Sequence, residues 1–319
     1  ISYPIGTNRQ WHFYVFTNSP SPDDIYTNFG ANVAFAIHTP LNLSSPRNVE
    51  PDLDLYVSRD PQLLNLTPSA VQNAYRSVLR GASAESYVTT NATVSPQEVF
   101  YLAVKSEDQN AGEYSIIGLS SALPFGSIDS EGNHWLRGLP VPRAIPDGSP
   151  IVPEAVAVYA FDPSPIDVTE VVVSNTIVHE EIGDTLGNLS HSGRGMVLNN
   201  HRSGSAPDGV YTAIYDDSGS GEFVNSVASD GPGNLDNFVG QTGSGAWVFT
   251  AVDNAQGLTG YVANLTLRLT PNLDLLSGTF VTLRPNAWRY GYVNVPADAS
   301  RMIVEVSQLS GGPVEVFIR

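Results

Sequence analysis

The sequence of 319 residues contains no cysteine, a single lysine, Lys105, and only 15 basic residues in all. The lack of cysteine excludes disulfide bonds and any reaction that needs a thiol. Against the few basic side chains stand 32 acidic ones, and the net charge of −17 would repel nucleic acids and anionic membrane surfaces. We therefore expect neither as a partner. The same charge favours solubility and the binding of divalent cations.

Long apolar runs are also missing. No segment approaches the roughly 18 consecutive apolar residues that a membrane-spanning helix needs, so membrane insertion is not expected. Short runs rich in aromatic and β-branched residues, separated by Pro, Asn and Gly, predict strands. Such runs occupy residues 11–16, 32–37, 53–57 and 98–104. We therefore predict an all-β protein built from tandem β-sandwich or jelly-roll domains.

Between residues 177 and 269, six motifs follow one another in a recognisable order. They occupy residues 177–184, 190–195, 216–218, 237–240, 245–247 and 253–260. This order resembles the P domain, or Homo B domain, that follows the catalytic domain of proprotein convertases. Thr185, His191 and Leu258 replace residues of the family pattern, a Leu, a Pro and an Asp. The resemblance implies a jelly roll that accompanies catalytic domains and does no chemistry itself.

A second resemblance covers the N-terminal region. Its most specific piece is Asp-Leu-Asp-Leu-Tyr-Val at 52–57, preceded by the runs at 11–16 and 32–37 and followed by those at 100–104 and 112–116. These pieces are similar to the bacterial pre-peptidase C-terminal domain. The resemblance implies a small β-sandwich of the kind that is attached to secreted peptidases and other exported proteins.

The far end repeats part of this pattern, since residues 288–295 parallel 11–18 and residues 314–318 parallel 53–57. Half a sandwich cannot cover its apolar face or its strand edges. We therefore predict that it is truncated or completed by another chain. The predicted domains are a pre-peptidase-like sandwich, a Pro/Gly-rich linker packed on a neighbour through Trp135 and Leu136, a P-domain-like jelly roll, and this half sandwich. Their boundaries are 1–122, 123–150, 151–271 and 272–319.

No combination of residues predicts catalysis. Asp217-Ser218-Gly219 matches one element of subtilisin-type peptidases, but nothing like their other elements follows, and a triad needs three groups in mutual reach. The six histidines show no metal-ligand spacing and are expected on the polar surface or at strand ends. They are His12, His38, His134, His179, His191 and His201. We predict that the chain is not an enzyme.

Calcium is the one cofactor that the sequence suggests. Asp184, Asp216, Asp217 and Asp253 lie in turn-like segments, and calcium takes six to eight oxygen ligands that loops usually supply. Some P domains bind calcium through such loops, so the resemblance implies these four residues as ligands. Leu258 removes one further ligand of the family loop. The alternative is that these aspartates cap turns through backbone amides.

Surface modification and sugar binding are further hypotheses. Five Asn-x-Ser/Thr sequons are candidates for N-glycosylation. They start at Asn42, Asn65, Asn91, Asn188 and Asn264. Trp135 is the candidate for stacking on a sugar, because Trp247 lies in an apolar strand and Trp288 aligns with Trp11.

These observations predict an extracellular or cell-surface location. The preferred function is that of non-catalytic structural or adhesive modules in a larger surface or filament-forming protein. One alternative is an accessory role, in folding or substrate binding, for a secreted peptidase or hydrolase whose catalytic domain lies elsewhere. Another is a carbohydrate-binding module. The expected partners are other protein subunits, neighbouring domains of the same polypeptide, and extracellular polysaccharide.

Overall fold

A computed structural model of the chain describes residues 10–18, 30–39, 51–80, 83–92, 97–108, 114–202, 207–275, 288–292, 295 and 314–317. The chain divides into two compact units, Ile1–Asn272 and Leu273–Arg319. Strands of the first unit pair in antiparallel sheets, and helices are few and short. The predicted all-β class is confirmed.

The first sandwich consists of a four-stranded and a three-stranded sheet. Its strands are β1 (Trp11–Asn18), β2 (Asn32–His38), β3 (Leu53–Ser58), β4 (Tyr75–Ser77), β5 (Glu85–Thr89), β6 (Glu98–Ser106) and β7 (Ser115–Ser121). The four-stranded sheet has the order β1-β6-β3-β4, and the three-stranded sheet has the order β5-β2-β7. Phe35 and Ile37 of β2 meet Leu55 of β3 and Phe100 of β6 in the core between them.

A short insertion covers the outer face of the four-stranded sheet. It contains a 3-10 helix, Pro61–Asn65, and α1, Pro68–Asn73, each of which starts with the proline that helix starts favour. Leu63 and Ala70 of these helices pack against Tyr56 and Ala103. The insertion therefore adds a small second core to the first sandwich.

The second sandwich consists of a six-stranded and a four-stranded sheet. Its strands are β8 (Gly126–Ile128), β9 (His134–Arg137), β10 (Arg143–Ile145), β11 (Glu154–Asp162), β12 (Val168–His179), β13 (Thr185–His191), β14 (Arg194–Asn200), β15 (Val210–Asp216), β16 (Gly245–Asp253) and β17 (Gly260–Pro271). The six-stranded sheet has the order β15-β12-β17-β9-β8, with β10 also paired to β17, and the other sheet has the order β11-β16-β13-β14. Short 3-10 helices lie at Ile182–Asp184, Pro207–Gly209 and Leu235–Phe238.

The structure differs from the sequence interpretation at 123–150. This segment is not a linker, because β8, β9 and β10 all belong to the six-stranded sheet. β9 pairs with β17 at Leu136↔Leu267, and Leu136 is buried as part of the core. The predicted packing of Trp135 and Leu136 on a neighbour is therefore present, but as strand pairing. Three- and four-residue strands are too short to show an alternating pattern among prolines and glycines.

The two sandwiches are stacked on each other. All seven residues of β2 are buried, because its two faces enter two different cores. Ala34 and Ala36, on the face away from Phe35, pack with Phe161 of β11 and Val248 of β16. The stack thus has four β layers, and its two inner sheets carry apolar side chains on both faces. Alanine at the contact lets the inner sheets approach closely.

The unit Leu273–Arg319 contains two described strands, β18 (Leu273–Leu275) and β19 (Tyr290–Tyr292), which pair in parallel. Trp288 contacts Phe317 with ring centroids 5.5 Å apart. The described part of the chain contains no helix that is long and apolar enough to cross a membrane.

Candidate functional site

The four predicted calcium ligands fall into two separate places of the second sandwich. Asp216 pairs with Val172 of β12, and Asp217 follows it. Asp253 contacts His179, seven residues further along β12, which corresponds to roughly 20 Å along a strand. Asp184 lies beside Asp253, since the Asn254 amide donates to its carbonyl oxygen at 3.3 Å. The four carboxylates therefore cannot bind one ion.

Hydrogen bonds within the protein already use Oδ1 of Asp216 and both carboxylate oxygens of Asp217. Asp216 accepts from the amide of Ser218 at 3.0 Å and from its hydroxyl at 2.6 Å. Asp217 accepts from the Ser229 amide at 2.9 Å, the Ser229 hydroxyl at 2.7 Å and the Leu235 amide at 2.8 Å. Both aspartates hold turns, as Asp commonly does.

A calcium ion here would share these oxygen atoms with the protein donors, and it would need further oxygen atoms to reach its six to eight ligands. Among the described residues, no group of three or more His, Asp or Glu side chains is arranged to hold a metal ion. Calcium binding by these aspartates therefore stays a prediction, although the four do not form a single site. Titration calorimetry with calcium chloride would test it.

Asp253 has a different role, because it forms a buried pair with His179. The His179 Nε2 lies 3.3 Å from Asp253 Oδ2, and the two side chains are 0% and 1% exposed. The second carboxylate oxygen accepts from the Ala255 amide at 2.9 Å. The second ring nitrogen of His179 lies within hydrogen-bond distance of the Glu181 amide, at 3.2 Å, and of its carbonyl, at 2.7 Å.

A second pair has the same form. His134 Nδ1 lies 2.7 Å from Asp162 Oδ2, and the side chains are 7% and 1% exposed. Asp162 Oδ1 accepts from the Ser164 amide at 2.8 Å. We call these two pairs the His–Asp clasps, because each joins a histidine of the six-stranded sheet to an aspartate of the four-stranded sheet.

The clasps lie at opposite ends of the second sandwich. β11 and β16 run antiparallel, with Glu154 opposite Asp253 and Asp162 opposite Gly245. On the facing sheet, His179 is the last residue of β12, and His134 starts β9. Each clasp therefore closes one end of the core between the two sheets.

Neither clasp is part of a Ser-His-Asp triad among the described residues. Such a triad needs a hydroxyl nucleophile on the second ring nitrogen of the histidine. In the part of the chain that the structure describes, no serine, threonine or tyrosine is hydrogen-bonded to His134 or His179. The hydroxyl of Ser218, in the Asp-Ser-Gly element, instead donates to Asp216.

His191 stabilises the core in another way. Its ring stacks on Trp247 with centroids 4.0 Å apart and planes 2° apart. Its Nδ1 and Nε2 lie 2.9 Å and 2.7 Å from the carbonyl oxygens of Ala246 and Thr242. Burial lowers the pKa of His191, and the two carbonyls oppose this change. Trp247 is fully buried, as the apolar strand predicts.

The histidines were predicted at strand ends or on the polar surface, and four of them lie at strand ends but are buried. His38, His179 and His191 end their strands and His134 begins one, which confirms the strand-end interpretation. These four side chains are nonetheless buried, with 2–6% of their surface exposed. No local signal marks the clasps, because their partners are 74 and 28 residues apart in the sequence.

Trp135 lies on the outer face of the six-stranded sheet, opposite Arg268 of β17. Its indole N–H donates to Asp129 Oδ2 at 2.8 Å, so this group already has a hydrogen-bond partner in the protein. Burial opposes ionisation of Asp129, but hydrogen bonds from Trp135, Asn133 and the Glu131 amide hold its pKa below the usual value. Sugar binding by Trp135 stays a prediction that would rest on ring stacking alone.

The sequons differ in accessibility, which leads to a prediction. Asn65, Asn91 and Asn264 are exposed, whereas Asn188 is 3% exposed within β13. Asn42 lies outside the described residues. If the chain is secreted from a glycosylating host, we expect glycans on the exposed asparagines and none at Asn188, because a glycan there would disrupt the packing. Glycopeptide mass spectrometry of the folded product measures this, and substantial occupancy at Asn188 would contradict the placement of β13.

Comparison with known proteins identifies no relative by sequence. No family model matches the chain, and no curated protein matches it. Two similar solved structures are the Aeromonas sobria serine protease in complex with its chaperone and infectious bursal disease virus, Gt strain. The first has a TM-score of 0.28 and 16% identity, and the match covers 50% of this chain and 34% of that one. The second has a TM-score of 0.26 and 7% identity, and the match covers 75% of this chain and 55% of that one. Because both TM-scores are below 0.5, neither likeness carries an argument about function.

Proposed function

We propose that the chain is a non-catalytic extracellular module with a structural or adhesive role in a larger surface or filament-forming protein. The observation that carries this proposal is the stacking of the two sandwiches. Phe161 and Val248 of one sandwich share a core with Ala34 and Ala36 of the other. Two domains joined through an apolar core move little relative to each other, in contrast to domains on a flexible tether. Such a body suits a spacer or a building block.

The distribution of polar groups supports the same role. His179, Asp253, His134 and Asp162 pair with one another inside the second sandwich, so these potential acid–base groups close the core. The predicted partners are neighbouring domains of the same polypeptide or other subunits, with extracellular polysaccharide as a further candidate. The net charge of −17 keeps such a body soluble and repels anionic surfaces.

Localisation and isolation of the native polypeptide test the proposal. Antibodies against the 319-residue chain would be applied to intact producing cells for immunogold electron microscopy, and the labelled material would then be purified. We expect label on the cell surface or on extracellular filaments, in a polypeptide without hydrolase activity. A peptidase domain in the same polypeptide would favour the accessory role instead. Label confined to the cytosol would contradict both.

A further inference from the structure

Glu85 occupies an unusual position for a carboxylate. It is the first residue of β5 and is 0% exposed. Its Oε1 accepts from the Leu79 amide at 2.9 Å, and its Oε2 is hydrogen-bonded to the Ser77 hydroxyl. Ser77 ends β4, which belongs to the opposite sheet of the first sandwich. The Glu85 carboxyl group therefore connects the two sheets at the edge strand β4.

The groups around Glu85 disfavour a negative charge there. The charges of Asp54 in β3, which is 5% exposed, and of Asp52 just before that strand repel a negative charge on Glu85. Burial and the charge of Glu85 in turn raise the pKa of Tyr75 in β4. The nearby cations have other partners, since Lys105 forms an ion pair with Glu107 and Arg76 of β4 acts on Tyr56. Burial above all, then the charges of Asp54 and Asp52, raise the pKa of Glu85 to about 7, although the Ser77 and Leu79 hydrogen bonds oppose this.

The pKa of Asp54 is raised as well. Burial first, and then the neighbouring Glu107 and Asp52, raise the pKa of Asp54 to about 6, against the opposing charge of Lys105. Glu107, which raises the pKa of Asp54, also forms the ion pair with Lys105. The region thus contains two buried groups that hold protons more firmly than exposed carboxylates do.

We propose that the protonated carboxyl group of Glu85 links β4 to β5 in mildly acidic medium. At higher pH the group loses its proton, and β4 loosens. Protonation of Glu85 removes a buried charge and leaves its hydrogen bonds in place. Oε2 accepts from the Ser77 hydroxyl, which itself accepts from the Ser86 amide at 3.1 Å, and Oε1 accepts from the Leu79 amide. The ionised form is a buried charge with no ion pair among the described residues, and β4 is held weakly, because it is short and pairs only with β3 among the described strands.

The direction of the pH effect follows from proton linkage. A carboxyl whose pKa is higher in the folded than in the unfolded chain binds more protons when folded, so its stabilisation is complete below the unfolded value. The ordinary value for Glu is 4.5, and the folded value is about 7. The stabilisation is therefore lost as the pH rises between these values and is absent above about 7. The effect is opposite to that of the aspartates with lowered pKa values, which act below pH 4.

The test compares urea unfolding of the wild-type chain, Glu85→Gln and the control Glu154→Gln at pH 5 and pH 8. Glu154 is exposed on β11, so its replacement should leave the pH dependence unchanged. In the wild type, we expect Glu85 alone to lower the folding equilibrium constant on the order of 100-fold from pH 5 to pH 8, because its pKa of about 7 lies above the ordinary 4.5. Glu85→Gln should lose most of this dependence, because the amide has no proton to release, and should be the more stable protein at pH 8.

Two further readouts keep the proposal falsifiable if the variant folds poorly. Hydrogen exchange in the wild type, corrected for the intrinsic effect of pH, should show lower protection of the β4 amides at pH 8 than at pH 5. Carbon NMR of the Glu85 carboxyl should show a titration midpoint near neutrality. A midpoint in the ordinary range of glutamate, or an equal pH dependence in Glu85→Gln and the wild type, would overturn the proposal.

Discussion

Replacement of Asp253 by alanine is expected to lower the free energy of unfolding by about 3–5 kcal/mol, the usual cost of removing one partner of a buried pair. Asp253 is 0% exposed and holds both His179 and the amide of Ala255. Its loss removes the carboxylate from the Nε2 of His179 at the end of the core, and it removes the hydrogen bond to Ala255 in the turn that leads to β17. Urea unfolding, followed by the fluorescence of the buried Trp247 in the same sandwich, measures the change.

Two controls identify the cause of this effect. Asp236→Ala removes an exposed aspartate from the same sandwich and should change the stability by no more than about 0.5 kcal/mol. The double variant His179→Ala/Asp253→Ala should be less destabilised than the sum of the single variants, because residues in contact are not additive. An Asp253→Ala protein as stable as Asp236→Ala would show that the clasp does not hold the sheets together.

Replacement of Phe161 by alanine is expected to have a similarly large effect, about 3–5 kcal/mol for a fully buried phenylalanine. Phe161 packs between the sandwiches, with its ring 5.4 Å from that of Phe125. The expected result goes beyond the loss of stability. Because the cavity lies in the shared core, the single unfolding transition of the unit should separate into two, one for each sandwich. Differential scanning calorimetry measures this separation.

Phe13→Ala is the matched control for Phe161→Ala. Phe13 lies on the outer face of β1 and is 38% exposed, so its removal touches no contact between the sandwiches. The control should shift the melting temperature slightly and keep the shape of the transition. If Phe161→Ala also melted in one transition, like the control, the stability of the sandwiches would not depend on this contact.

Local sequence patterns were sufficient for the strands of the first sandwich. The runs at 11–16, 32–37, 53–57 and 98–104 lie within β1, β2, β3 and β6, because alternation and β-branched residues act within one strand. The stacking was not predictable in the same way. The run Val33-Ala-Phe-Ala-Ile37 shows that β2 is apolar on both faces, but only the tertiary fold shows that Phe161 covers the second face.

The candidate site was even harder to predict from local sequence patterns than the stacking of the sandwiches. A turn aspartate looks alike in sequence whether it binds a metal ion, caps a turn as Asp217 does, or pairs with a distant histidine as Asp253 does. The choice depends on which donors surround the carboxylate, and these come from segments far away in the chain. The resemblances to the P domain and to the pre-peptidase C-terminal domain stay predictions, since no sequence family tests them.

The two sandwiches share an apolar core, and we expect them to move as one rigid body. The natural absence of cysteine makes spin labelling at two introduced cysteines specific. Thr17→Cys on β1 and Ser127→Cys on β8 place labels at exposed positions of the two outermost sheets. Double electron–electron resonance should then give a single narrow distance distribution, unchanged between pH 6 and pH 8. A broad distribution, or one with two distances, would show that the sandwiches move independently and that the shared core does not hold them together.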